Sequence, residues 1–412
     1  MPSQKTPSNT HAELLTRNVV EVIDRENVAR KIKANRRLTI KFGRDPRVPT
    51  LTLGHSVPLR KLRDFQRAGH QVVIVIGDFT ARLGDPNASE AGREILTAKE
   101  IAKNVAAIKK IFFKILDPKK TKFTYNSSWL DKLKFGDVIS LASSFTVQQN
   151  IERDLFQKRI ASNRPIGLHE FLYPLMQAYD SVHLQPDLEV GGTDQTFNLL
   201  AGRQLMKSLG LAPQDVLITP MLIGTDGREM HSSWGNTISL TDGPVDMFGK
   251  LMGVRDELVV QYMDLTTDLS RGEIDTIATQ LKLGAISPIE AKKILAREIV
   301  TLYHGSKAAL SAQQEFEKVI QSKGLPTEVA TFPLGGTGSI NLVDLLVESG
   351  VAKSRSEARR LVEQGGVDEV HVEQGSVVSR TTIDNLSTQI RPHARRNVIV
   401  QVGKRKAVEV KP

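Results

Sequence analysis

Two periods of apolar and polar residues divide the chain. LTIKFG reads as a short strand over 39–44 that runs into a glycine. HSVPLRKLRDFQRAGH (55–70) carries apolar residues at helical spacing, and Gly69 suits the end of that helix. QVVIVIGDF (71–79) is an unbroken β-branched run, the pattern of a strand covered on both faces. Strand, helix and strand within about forty residues make a βαβ unit, which predicts an α/β fold with a parallel, doubly wound sheet. DVLITPMLIGTDG (215–227) predicts a further strand leading into a loop. Helical periodicity then dominates roughly 245–325, in VDMFGKLM, RDELVVQYMDL and SPIEAKKILAREIVTLYH.

The flanks read differently. Residues 1–37 form a polar arm with one helix. PLGGTGS (333–339) is a glycine-rich linker. Beyond it, NLVDLLVESG and SRSEARRLVEQGG predict two short helices, each closed by glycine. NVIVQVGKRKAVEV alternates as strand, turn and strand, with its basic residues at the turn.

A length of 412 residues implies two or three domains. The composition, 40% hydrophobic and 25% charged, is that of a soluble globular protein. A net charge of +10 fits a polyanionic partner, and equally a solvated basic surface. The same two readings hold for KKIFFKILDPKKTKF (109–123), an RNA-facing surface or an amphipathic segment with a lysine face. The chain has no cysteine, which excludes disulfides and thiolate metal sites and fits a reducing cytoplasm. MPSQKTPSNTHAELL has no apolar core of a secretion signal, and no stretch reaches the ~20 apolar residues of a membrane span. The histidines show no spacing suited to zinc.

Three segments carry a resemblance: KFGRDPRVPTLTLGHSVPLRKLRDFQRAGHQVVIVIGDFTARLGDP (41–86), EFLYPLMQAYDSVHLQPDLEVGGTDQTFNLLAGR (170–203) and TPMLIGTDGREMHSSWGNTISL (219–240). Together they resemble the bacterial-type tyrosyl-tRNA synthetases, which are class I aminoacyl-tRNA synthetases. The tail, with SRSEARRLVEQGGV and GKRK, resembles the small RNA-binding domain of that family. The resemblance implies a Rossmann-like domain with a connective insertion over 38–225. A KMSKS-like loop and helical anticodon-side domain would follow over 226–332, and a small α+β RNA-binding domain over 340–412.

The resemblance also implies roles. Tyr173, Gln177 and Asp85 would surround the ammonium of tyrosine, Asp180 would meet its phenol, and Gln195 would lie near its carboxylate. Lys41 holds the position near the phenol. Independently, the i, i+4, i+7 spacing of Tyr173, Gln177 and Asp180 puts them on one helix face. Buried charges and a buried hydroxyl need such partners. For ATP, the resemblance points to Gly43, Asp45, Gly54 and His55 at a helix start, to Gly192 and Asp194 at adenosine, and to Met230.

The phosphate-handling motifs depart from the family pattern. The first histidine of the HIGH motif falls at Thr52, and an upstream threonine falls at Arg47. The KMSKS loop reads Glu229-Met230-His231-Ser232-Ser233, with neither lysine. Charge on phosphate oxygens must then be met by Arg47, Thr52, His55, Arg228, Ser232 and Ser233. In the tail, Arg355, Arg359, Arg360, Lys404, Arg405 and Lys406 would grip RNA phosphates. The expected activity is ATP-dependent ligation of tyrosine to tRNA(Tyr) by a cytoplasmic homodimer. Magnesium would accompany ATP, without a protein ligand that can be named. A second reading is a synthetase-derived protein that binds tyrosine or RNA without activating the amino acid.

Overall fold

The computed structural model describes residues 11–83, 96–230, 234–318, 329–334, 338–373, 376–391, 398–403 and 406–411. Among them, six strands make the first sheet: β1 (Glu21–Ile23), β2 (Thr39–Arg44), β3 (Gln71–Ile76), β4 (Thr121–Tyr125), β5 (Leu188–Gly192) and β6 (Asp215–Thr219). Their spatial order is β1-β6-β5-β2-β3-β4. β2 to β6 run parallel, and β1 is antiparallel on β6. From β2 the chain steps outward through β3 to β4, then returns to the other side for β5 and β6. The direction reverses between β2 and β5, and in such sheets the ligand crevice opens there, outside the carboxyl ends of the strands.

Burial explains the continuous apolar runs. Val72–Ile76 and all of β6 are buried. Val216 and Ile218 pack on Leu199 of the Thr196–Ser208 helix, so Leu217, one residue out of phase, faces the other side of the sheet. The Leu53–Arg67 helix lies against β3, β5 and β6. Gly69, at φ +93, turns the chain from that helix into β3, a backbone shape that favours glycine. The arm holds more than one helix. It adds β1 and the Arg25–Lys33 helix, whose Val28 and Ile32 are buried one turn apart. A strand of three residues, EVI, is too short to show a period.

The chain divides into two compact units, Met1–Asp242 with Gly253–Leu295, and Gly243–Met252 with Ala296–Pro412. In the second, Phe248 of the Pro244–Met252 helix meets Phe316 of the Ser306–Phe316 helix, their rings 5.7 Å apart. The tail contributes β7 (Ala330–Pro333), β8 (Ile340–Asn341), β9 (Val367–Glu373), β10 (Ser376–Thr382), β11 (Gln389–Ile390), β12 (Val398–Val402) and β13 (Lys406–Lys411). They form a five-stranded sheet, β10-β9-β12-β13-β7, and a pair, β11-β8. The helices Leu342–Glu348 and Arg355–Glu363 bury Leu342, Leu345, Leu346, Ala358 and Val362 against Val400, Val408 and Val410. β12 and β13 are the antiparallel pair that the alternation predicts. β7 pairs parallel with β13 through Pro333, inside a stretch that reads locally as linker. Proline is tolerated there because β7 is the edge strand.

Candidate active site

Loops from the carboxyl ends of β2, β3, β4 and β5 supply the side chains of the crevice. Asp45, just past β2, accepts hydrogen bonds from Thr80 Oγ1 at 2.6 Å and from the Tyr173 hydroxyl at 3.1 Å. A Cβ on Gly77 would stand 1.9 Å from Asp45 Oδ1 and 2.3 Å from Thr80 Oγ1, so only glycine lets this pair close. Tyr173, Gln177 and Asp180 lie on the Tyr173–Leu184 helix, with Tyr173 and Asp180 buried and Gln177 half-buried.

Asp180 accepts from Trp129 Nε1 at 2.8 Å and from Asn126 Nδ2 at 3.4 Å. Asn126 Nδ2 also reaches Thr80 Oγ1 at 3.2 Å. One network therefore runs from Tyr173 through Asp45, Thr80 and Asn126 to Asp180 and Trp129. Burial pushes the Asp180 carboxyl up to about 7, against the pull of the nearby Lys41 charge. Lys41 does not border the open crevice. It is fully buried, ion-paired to Glu189 Oε1 at 2.9 Å, and donates to Ser181 Oγ at 2.7 Å and the Gln177 carbonyl at 3.2 Å. Its bearing on Asp180 is electrostatic.

Thr52 and His55 close the start of the Leu53–Arg67 helix. The Thr52 N–H donates to His55 Nδ1 at 3.1 Å, and Thr52 Oγ1 lies 2.8 Å from the same nitrogen. Nδ1 is thus the acceptor and the ring carries its hydrogen on Nε2. Burial, reinforced by the charge of Arg44, lowers His55 to about 3, so the ring is neutral at physiological pH. Met230 Sδ would be 3.4 Å from a Cβ on Gly54, so the two motifs meet here. The segment after the loop is tied to the helix start: Leu53 N–H donates to Ile238 O at 2.7 Å and Leu240 N–H to Leu51 O at 2.8 Å.

The loop carries its own bonding. Asn236 Nδ2 donates to Asp226 Oδ1 and to the Glu229 carbonyl, each at 2.9 Å. Arg228 places Nε and Nη2 on Asp226 Oδ2, at 2.8 and 2.6 Å, and lies 4.9 Å from the centre of the Trp234 ring. The Asn236 hydrogen bond, followed by those from Arg228, lowers the Asp226 carboxyl to about 2. Arg47 Nη1 donates to the Ala81 carbonyl at 2.5 Å. Across the crevice, Gly192 would crowd Asp194 Oδ1 with a Cβ at 2.6 Å, and Gln195 Nε2 donates to Asp194 at 2.9 Å. A Cβ on Gly43 would meet nothing within 4 Å. Asp85, Ser232 and Ser233 lie outside the described residues.

Four contributors were not singled out by sequence: Arg44, Thr80, Asn126 and Trp129. A usable signal existed. Each sits at or within a few residues of the carboxyl end of a strand that faces the crevice, in FGRD, GDFT and YNSSW.

Known proteins resemble this chain in sequence and fold. Residues 33–321 match the family of class I tRNA synthetases for tryptophan and tyrosine. Over 395 residues the chain is 45% identical to a tyrosine–tRNA ligase of Thermotoga maritima, covering 96% of this chain and 95% of the relative. The chain belongs to the tyrosine–tRNA ligase family. A second ligase of the family, from Carboxydothermus hydrogenoformans, is 42% identical over 407 residues, 97% of each chain. A solved tyrosyl-tRNA synthetase of Archaeoglobus fulgidus, in complex with L-tyrosine, aligns with a TM-score of 0.60 at 25% identity, covering 72% of this chain and 98% of that one. These family members are named as ligases, which lends no support to the non-catalytic alternative.

Residues 340–367 match the S4 domain, so this family member carries the small C-terminal module as well. There, Arg359 and Arg360 are exposed on the Arg355–Glu363 helix, and Arg355 is ion-paired to Asp344 at 2.5 Å. Lys406 Nζ donates to the Val351 carbonyl at 2.7 Å, which brings the start of β13 beside the approach to that helix. Lys404 and Arg405 lie outside the described residues. Among the described residues, no helix is long and apolar enough to cross a membrane, and no three His, Cys, Asp or Glu side chains gather as a metal site.

Proposed function

We propose that the chain activates tyrosine with ATP and transfers it to tRNA(Tyr). A tyrosine carboxylate oxygen attacks the α-phosphorus, the bond to the β-phosphate oxygen breaks, and pyrophosphate leaves. A hydroxyl of the tRNA 3′-terminal ribose then attacks the tyrosyl carbonyl and AMP departs. The observation that carries this reading is Asp180. It is a buried carboxylate held by Trp129 and Asn126, at the far end of a network that begins at Tyr173 and Asp45. Two donors leave it acceptor capacity for a phenol hydroxyl. Tyr173, Gln177 and Asp85 then meet the ammonium, and Gln195 lies toward the carboxylate.

The first step needs no general base, because the attacking carboxylate is already ionised. What it needs is alignment and stabilisation of charge on phosphate oxygens. In this reading Gly43, Asp45, Gly54, Gly192, Asp194 and Met230 cradle the nucleotide. The helix start at Thr52 receives the phosphates, with His55 offering a neutral N–H. Arg47, Arg228, Ser232 and Ser233 border the leaving pyrophosphate. Magnesium would accompany ATP on its phosphates and add to the neutralisation of their charge.

The S4 module holds structured RNA by phosphate contacts from Arg355, Arg359, Arg360, Lys404, Arg405 and Lys406. A second copy of the chain covers the apolar residues exposed over 135–168, among them Phe135 at 80% and Leu168 at 82%. The homodimer works in the cytoplasm. The test is tyrosine-dependent exchange of labelled pyrophosphate into ATP. Exchange with tyrosine, and far less with phenylalanine, is the expected result; no exchange alongside clear tyrosine binding overturns the proposed activity.

A further inference from the structure

Arg44 has no part in the reading above, yet it occupies a central position. It is the last residue of β2, at the carboxyl end where the strand order reverses between β2 and β5. Its Nε is buried without a hydrogen-bond partner among the described residues. Its charge bears on His55 at the helix start and is felt with Asp45, Tyr173 and Asp194, residues from three sides of the crevice. A buried guanidinium nitrogen with an unused hydrogen is costly to keep unless a ligand uses it.

Among the described residues, charge at this place is otherwise scarce. His55 is neutral. Arg47 donates to the Ala81 carbonyl, and Arg228 is folded back onto Asp226. The two loop positions that hold lysine in the family pattern are Glu229 and Ser232. The helix start supplies partial positive charge from its backbone N–H groups, but no full cation. A guanidinium at the root of the same crevice matches phosphate geometry better than an ammonium does.

We propose that Arg44 is an ATP-binding cation of this crevice, donating to the phosphates next to the bond that breaks, in place of charge the KMSKS-like loop lacks. The assignment rests on the proposed activity only for its effect on turnover; its effect on ATP affinity stands without it.

Two measurements separate these. The first is calorimetric titration of wild type, Arg44→Ala and Arg44→Lys with ATP–magnesium, with adenosine and with tyrosine. The expected result is ATP affinity lowered at least tenfold in Arg44→Ala and partly restored in Arg44→Lys, with adenosine and tyrosine affinities within about twofold of wild type. A merely structural arginine, holding Asp45 and Asp194, would weaken adenosine and tyrosine as much as ATP. The second is pyrophosphate exchange, where Arg44→Ala is expected to fall about 10²–10³-fold in kcat/KM for ATP. Unchanged ATP affinity in a folded Arg44→Ala variant, or an equal loss for adenosine, overturns the proposal. A wild type that binds ATP but shows no exchange overturns the activation reading, while the ATP-against-adenosine comparison still decides the role of Arg44.

Discussion

Replacing Asp180 by Asn is expected to move binding and stability in opposite directions. The change keeps the shape, and one oxygen still accepts from Trp129 Nε1. It removes the charge and turns a donor toward Asn126 Nδ2, itself a donor. A hydrogen bond from a tyrosine phenol to the ionised carboxylate contributes about 1.5–3 kcal/mol, so tyrosine binding at pH 8 weakens about 10- to 150-fold. Phenylalanine has no hydroxyl to lose, so the preference for tyrosine over phenylalanine shrinks by a similar factor. Stability changes the other way. Burial raises this carboxyl from 3.8 to about 7, which costs the ligand-free fold up to about 4 kcal/mol once the group ionises. Because the folded value is raised, the folded state holds the proton longer than the unfolded chain. The fold is therefore favoured below pH 4 and loses that advantage as pH rises to 7. Ligand-free Asp180→Asn should melt above wild type at pH 8 and close to it near pH 4. By the same linkage, wild-type tyrosine affinity falls as pH drops below 7. Calorimetry with tyrosine and phenylalanine, and thermal unfolding across this pH range, read all of these effects. Unchanged tyrosine affinity with unchanged rejection of phenylalanine would refute the reasoning.

Other sites give sharp expectations. Lys41→Met leaves Glu189 buried and unpaired, and should cost about 3–5 kcal/mol in urea unfolding; a loss under 1 kcal/mol would mean that the pair is not held as described. Gly77→Ala should displace Asp45 or Thr80 and lower tyrosine binding and exchange about tenfold or more, because small misplacements at a reacting centre are amplified. Steady-state exchange at wild-type KM would contradict that. Phe135→Glu should shift the chain to monomer in sedimentation velocity at micromolar concentration; an unaltered dimer places the interface elsewhere.

The sequence made the parallel sheet legible because buried strands announce themselves, as QVVIVI and DVLIT do. The helix face of Tyr173, Gln177 and Asp180 followed from spacing alone. What escaped was whatever depends on partners far along the chain. β1 is three residues whose only warrant is pairing with β6, and β7 exists through β13. Trp129 and Asn126 look like ordinary loop residues until the end of β4 brings them to Asp180. Lys41 entered as a site position only through the resemblance, and its burial under Ser181 and Glu189, away from the open crevice, was not legible, since an isolated lysine in a strand reads as exposed. Arg44 hid for a similar reason, as one more charge in FGRD.

The fastening of the Glu229–Met230 loop sets how far a disturbance there can travel. On one side the Tyr262 hydroxyl grips the Ile223 carbonyl at 2.6 Å, and on the other Ile238 and Leu240 are bonded to the backbone beside Thr52. Between these anchors the Arg255 N–H donates to the Thr225 carbonyl at 3.1 Å, and the Arg228–Asp226 pair is exposed to solvent. Arg228 can therefore leave Asp226 without breaking the bonds that anchor either side. An exposed ion pair is also weakened by ionic strength. Release of Arg228 should therefore respond to salt in a range where the global fold does not, which makes ionic strength a control on this side chain independent of thermal stability.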